Sequence, residues 1–140
     1  HTLGKMKQSH EYKNNMTFFV GLRGPVGSAG RRRPQYLYAR QLLKCKIVVV
    51  VGRDTHEDHY RLMESLSSGA MVLSEPMLRP PPGLVKGQHW DIFSSRTELE
   101  TMIRYYVLEN PNRRKDIARN GWRFVMKSYR SWHFIEKLVS

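Results

Sequence analysis

CKIVVVVGRDTHEDHYRLMESLSSGAMVL, residues 45–73, decides how the whole chain reads. Ile47–Val51 is a run of β-branched aliphatic residues with no polar alternation, the pattern of a strand covered on both faces in a parallel sheet. Gly52–His56 is polar and reads as a loop. Glu57–Ser68 then brings Leu62, Met63 and Leu66 onto one side of a helix, and Gly69 stops it where a left-handed residue is needed. Ala70–Leu73 returns to an apolar strand. Strand, helix and parallel strand in one short segment form a βαβ unit, which places the polar start of the helix at the carboxyl edge of the sheet.

The flanks extend the same alternation. Thr17–Leu22 (TFFVGL) is β-branched and aromatic, a further strand, and Pro34–Lys44 carries Leu37, Tyr38, Leu42 and Leu43 as a short amphipathic helix. Downstream, Pro76–Gly87 is too rich in proline and glycine for regular structure, and His89–Phe93 reads as a short edge strand. Ser95-x-x-Glu98 is a capping box ahead of Leu99, Met102, Ile103, Tyr106 and Val107, which recur at helical spacing. Asn110-Pro111 supplies N-cap and first-turn proline for a basic helix whose apolar face is Ile117, Gly121, Phe124 and Val125. Trp132–Val139 closes as a last helix. The expected fold is α/β, a Rossmann-like doubly wound parallel sheet with C-terminal helices. Residues 1–16 read as a polar tail or linker and 17–140 as one domain.

The 140 residues suffice for one sizeable core. The charge is lopsided: 24 Lys+Arg against 12 Asp+Glu, a formal +12, a field that attracts polyanions, phosphorylated small molecules or acidic membrane surfaces. A single cysteine, Cys45, excludes an internal disulfide framework and any multi-cysteine zinc site, and its place before an apolar run suggests an inert, buried thiol. No apolar run approaches the length of a membrane span. The Asn15-Met16-Thr17 sequon matters only in a secretory compartment. The chain starts at His1 and reads as an excerpt of a longer protein, so its compartment, cytoplasm or Golgi lumen, is set by what precedes His1.

In sheets of this kind ligands sit at the carboxyl edge, where the loops Gly21–Arg33, Gly52–His56 and Ser74–Gly87 converge. The glycine-rich loop before Arg31–Arg33 matches neither a P-loop nor a clean dinucleotide fingerprint and alone reads as a flexible loop. The helix opening at Glu57 offers unsatisfied N–H groups and the positive end of its dipole, a place for a diphosphate. Glu57, Arg61 and Glu64 fall on one face at i, i+4 and i+7; Arg61 either pairs with Glu57 at the surface or meets the ligand. Glu64, mid-helix among leucines, is either solvated or a ribose-hydroxyl acceptor. His56 at the loop tip is placed for a sugar or phosphate, and Asp54 and Glu57 are candidate general bases. His56 and His59 stand three apart, not four, with no third ligand, so no metal site is expected. Cations of the late helices, Arg113 to Arg130, interleave with Tyr105, Tyr106, Trp122 and Tyr129. That suits a nucleic-acid surface, but the aromatics fall largely on apolar faces, so core packing with a solvated basic face is expected.

Residues 38–138 resemble the C-terminal half of a GT-B glycosyltransferase, most of all the group-1-like set related to the spore-maturation protein CgeB. The resemblance lies in CKIVVVV, YRLMESLSSGAMVLSEPM and the ordered run PPGLVKGQHWDIFSSRTELETMIRYYVLENPNRRKDIARNGWRFVMKSYRSWHFIEKL. It implies a nucleoside-diphosphate-sugar donor site in which Glu64 holds the ribose and Arg61 lies beside the diphosphate. The backbone around Asp58, His59 and Tyr60 caps the phosphate, and Arg23 and Arg53 add charge. The sugar-facing catalytic position falls at His56 or Glu57: the wider superfamily spaces two glutamates by seven residues, whereas Glu57 and Glu64 enclose six and His56 stands one earlier. Cationic stabilisation of the leaving diphosphate implies a metal-independent enzyme without further cofactor. The acceptor, unknown in kind, is brought by an N-terminal acceptor domain outside this chain. A non-catalytic nucleotide- or sugar-binding relative and a basic nucleic-acid-binding module are the alternatives.

Overall fold

A computed structural model describes residues 36–52 and 59–129. The chain divides into two units, His1–Gln41 and Leu42–Ser140. Helix α1, Tyr36–Leu42, falls at the boundary, all but its last residue in the first unit, and ends two residues earlier than the expected Pro34–Lys44. In the second, β1 (Ile47–Val50), α2 (His59–Ser67), β2 (Met71–Ser74), β3 (Asp91–Ile92), α3 (Arg96–Arg104) and α4 (Pro111–Ser128) follow in order, with a π turn at Tyr105–Glu109 between the last two helices. The expected strand at Thr17–Leu22 and helix at Trp132–Val139 lie outside the described residues.

The described strands form one open parallel sheet in the order β1-β2-β3. Ile47 pairs with Met71 and Val50 with Ser74, while Leu73 and Ser74 pair with Asp91 and Ile92. This is the α/β, Rossmann-like architecture that the alternation of elements predicts. One detail is corrected. The Ile47–Val51 run suggests a strand covered on both faces, yet only Val50 of β1 is buried, and Val51 is outside the strand and exposed. The fully covered strand is β2, buried at all four positions because it has a neighbour on each side. It begins at Met71, not Ala70, and extends to Ser74, whose carbonyl accepts the Phe93 N–H at 3.0 Å.

Leu62 and Leu66 of α2, Val72 of β2, Val50, Leu84, Trp90 and Val125 form a continuous apolar cluster. Helix α4 packs on both α2 and β2. Gly121 permits this approach: a Cβ there would meet the backbone carbonyl of His89 and lie 2.8 Å from Leu66 Cδ2. The proline-rich connection from β2 to β3 has no helix and only an isolated bridge, Lys86 to Trp90. It is fastened to α4 instead. Tyr129 Oη donates to the Pro82 carbonyl at 3.1 Å, and the ring of Phe124 lies 4.9 Å from His89 and 5.4 Å from Tyr129.

Both helix starts anticipated from sequence are present. Ser95 Oγ accepts the Glu98 N–H at 3.1 Å, while Glu98 Oε2 reaches back one residue further than a reciprocal box, to the Ser94 N–H at 2.7 Å. Asn110 Oδ1 accepts from Arg113 N–H at 3.2 Å. The π turn closes with Asn110 N–H donating to Tyr105 O at 2.7 Å. It leaves Tyr106 buried, with its hydroxyl donating to Asp91 Oδ2 at 2.7 Å; burial, then the carboxylate's hydrogen bond and charge, hold its pKa well above the usual phenol range.

Gly69 ends α2 with φ +79° and open space where a Cβ would project, so the penalty for alanine there is purely that of left-handed backbone. Gly69→Ala is expected to lower unfolding stability by about 1 kcal/mol. The denaturant midpoint should fall with its slope unchanged, and an unmoved midpoint would refute the assignment.

Candidate functional site

The carboxyl edge of the sheet is held together by hydrogen bonds between successive strand ends. The Glu75 N–H donates to Val50 O at 3.3 Å, and Glu75 Oε2 accepts the Gly52 N–H at 3.0 Å. This carboxylate thus grips the backbone as it leaves β1. Ser74 Oγ accepts the indole N–H of Trp90 at 3.0 Å and donates to the Glu75 carbonyl at 3.0 Å. A buried serine and a buried tryptophan thereby satisfy each other and pin the end of β2 to the start of β3.

Helix α2 follows β1 across this edge. Leu62, Ser65 and Leu66 form its buried face, with exposures of 0–1 %. Arg61 and Glu64 flank that face, both half-buried, one helical turn apart and on the same side. Each is already engaged in an interaction within the fold. Tyr60 is 71 % exposed and points its ring into solvent, and His59 opens the helix. The structure thus brings Tyr60, Arg61 and Glu64 together on the first two turns of α2. Arg23, Arg53, His56, Glu57 and Asp58 lie outside the described residues, as does the alternative Glu57–Arg61 pair.

Three features escaped sequence reasoning. Glu75 stands directly after the second strand at the ligand edge, and its position alone is a signal that could have flagged it. The Ser74–Trp90 bond joins residues 16 apart and leaves no local trace. Arg114, expected on a solvated basic face, is instead buried on the inner side of α4, 8 % exposed. Trp122 corrects the opposite expectation: it follows Gly121, one step off the buried face, and is 42 % exposed, not packed in the core, while Tyr105 is 39 % exposed. Cys45 is half-buried, and desolvation pushes its thiol pKa up, away from the reactive thiolate.

Among the described residues no group of three or more His, Cys, Asp or Glu side chains could hold a metal ion, and no helix is long and apolar enough to cross a membrane. Two clefts, of about 420 and 340 Å³, border α4, and neither includes Arg61 or Glu64.

The glycosyl transferase-like family model matches residues 5–140. No curated protein and no solved structure gives a significant match. The match runs over every residue of the open parallel sheet and the helices packed on it. The chain therefore belongs to the glycosyl transferase-like family, whose chemistry is glycosyl transfer.

Proposed function

We propose that the chain is the donor-binding half of a GT-B glycosyltransferase of the CgeB-like group, taking a nucleoside-diphosphate sugar at the carboxyl edge of its sheet. The observation that carries this reading is the pairing of Arg61 and Glu64 on one side of α2, directly behind β1, in a chain of this family. Glu64 accepts the ribose hydroxyls. Arg61 and the N–H groups that open α2 face the diphosphate, with Arg23 and Arg53 adding positive charge. During transfer the bond from the sugar C1 to the phosphate oxygen breaks, and its electron pair leaves with the nucleoside diphosphate. A new bond forms from C1 to the acceptor hydroxyl oxygen, whose proton passes to His56 or Glu57. The cations around the leaving diphosphate stabilise the developing charge electrostatically. An N-terminal domain supplies the acceptor.

Isothermal titration of the chain with a nucleoside diphosphate and with nucleotide sugars tests this reading. Glu64→Ala and Arg61→Ala are each expected to weaken binding roughly 10- to 100-fold, the worth of a hydrogen bond to a charged group. Wild-type affinity in Glu64→Ala, or no nucleoside diphosphate bound by wild type, would sink it. Tight binding with no transfer by the complete protein would point to a non-catalytic relative.

A further inference from the structure

A cation-lined cleft stands at the edge of the sheet opposite the proposed donor site, and its reading does not depend on that site. Lys46 precedes β1 and Gly69 precedes β2, so both lie at the amino edge. Together with Arg114, Lys115, Arg119 and Trp122 of α4 they line an open cleft of about 420 Å³, within the range of small-ligand sites. None of its lining residues is acidic.

Arg114 is the telling residue. The residue is 8 % exposed overall, and its guanidinium makes one long hydrogen bond, Nη1 to Tyr106 O at 3.4 Å. Among the described residues no carboxylate pairs with it, although a guanidinium presents five donors and a buried cation ordinarily takes an anionic partner. Burial alone accounts for the downward direction of its pKa, with no neighbouring charge set against it. Around it, Arg119 meets Asp116 only at 3.8 Å with both side chains more than half exposed, a weak tie that an incoming anion displaces readily. Trp122 adds an open indole surface to the same cleft.

A cluster of cations beside an exposed aromatic ring matches the two halves of a nucleotide unit, a phosphate and a flat base. We propose that this cleft binds such a unit, its phosphate held by Arg114, Lys115, Arg119 and Lys46 and its base stacked on Trp122. The unit could belong to a free nucleotide or to a single strand, and these share the same chemistry.

The test uses the whole chain carrying Glu64→Ala, which disables the proposed donor position, with three probes: adenosine monophosphate, inorganic phosphate and a fluorescein-labelled oligothymidylate. Adenosine monophosphate is expected to bind at least tenfold more tightly than inorganic phosphate. Trp122→Ala should remove most of that difference and leave phosphate binding alone, while Lys115→Glu with Arg119→Glu should weaken both about tenfold or more. A free-nucleotide site shows no gain with oligonucleotide length. A strand site shows affinity that rises with length and falls linearly, on logarithmic axes, with salt. The proposal is overturned if neither nucleotide probe binds, if Trp122→Ala binds as its parent does, or if Glu64→Ala alone abolishes the adenosine monophosphate signal seen in wild type. Arg114→Met adds a direct probe of the buried cation, with circular dichroism as its folding control; the surface variants decide the matter should it not fold.

Discussion

Trp90→Ala is expected to destabilise the chain by about 3–5 kcal/mol, the largest effect of any single substitution considered. Trp90 is 2 % exposed within the central apolar cluster, so truncation removes a large buried surface and leaves a cavity that rigid neighbours on β2 and α4 cannot fill. A second loss adds to the first. The indole N–H is the donor to Ser74 Oγ, and through it the β3 side of the sheet is tied to the carboxyl end of β2. Trp90→Phe keeps most of the ring but not this bond, and should cost about 1–2 kcal/mol. Chemical denaturation of the three proteins gives both numbers, and a Trp90→Ala midpoint within about 1 kcal/mol of wild type would refute the packing account. Since small domains have only about 5–15 kcal/mol in total, Trp90→Ala should leave a protein near its folding limit.

Gly121→Ala is the second, and here two effects of opposite sign compete. In an exposed helix interior the exchange would stabilise by about 1 kcal/mol through helix propensity. At residue 121 the added methyl meets the His89 carbonyl, a backbone group held by the β3 approach, and Leu66 Cδ2 at 2.8 Å, a side chain of the core. Overpacking of this kind costs about 1–3 kcal/mol and sometimes more, and the backbone partner cannot swing aside. The clash therefore wins, with a net loss of about 2 kcal/mol expected in equilibrium unfolding. Stabilisation by Gly121→Ala would mean that α4 does not sit so close to α2 and the 85–89 turn. A useful control is Asn120→Ala, half-buried beside it on the same helix, where a smaller side chain gains propensity without a clash.

What the sequence disclosed is what depends on neighbours along the chain. The strand–helix–strand of residues 45–73, the glycine that stops α2, the Ser95 cap and the Asn110-Pro111 start are all set by local backbone requirements, and each is where its residues suggest. What it concealed depends on partners far along the chain. IVVV and MVLS look alike as apolar runs, and only their neighbours in the sheet make β2 the covered strand and β1 the half-covered one. One arginine in a basic helix looks like another, so the burial of Arg114 emerges only once α4 is laid against the sheet. Similarly, hydrophobic spacing puts Trp122 near the inner face but does not say that the face ends one residue before it. At the candidate site, position after a parallel strand together with the family resemblance makes Arg61 and Glu64 the candidates, and α2 carries them one turn apart. The partners they engage, and the Glu75 carboxylate that closes on Gly52 from 23 residues away, were beyond reach of any local pattern.

The link between the proline-rich connection and the end of α4 has a consequence for how the molecule comes apart. Residues 82 and 129 are 47 positions distant, yet a hydrogen bond and a row of rings join their neighbourhoods. The final turns of a helix ordinarily fray on their own, and a long irregular connection ordinarily moves on its own. Here releasing the tip of α4 strips the connection of its Tyr129 and Phe124 supports, and lifting the connection bares the inner side of that tip. The two are therefore expected to open together, so that amides of the connection and of the last turn of α4 exchange with similar protection.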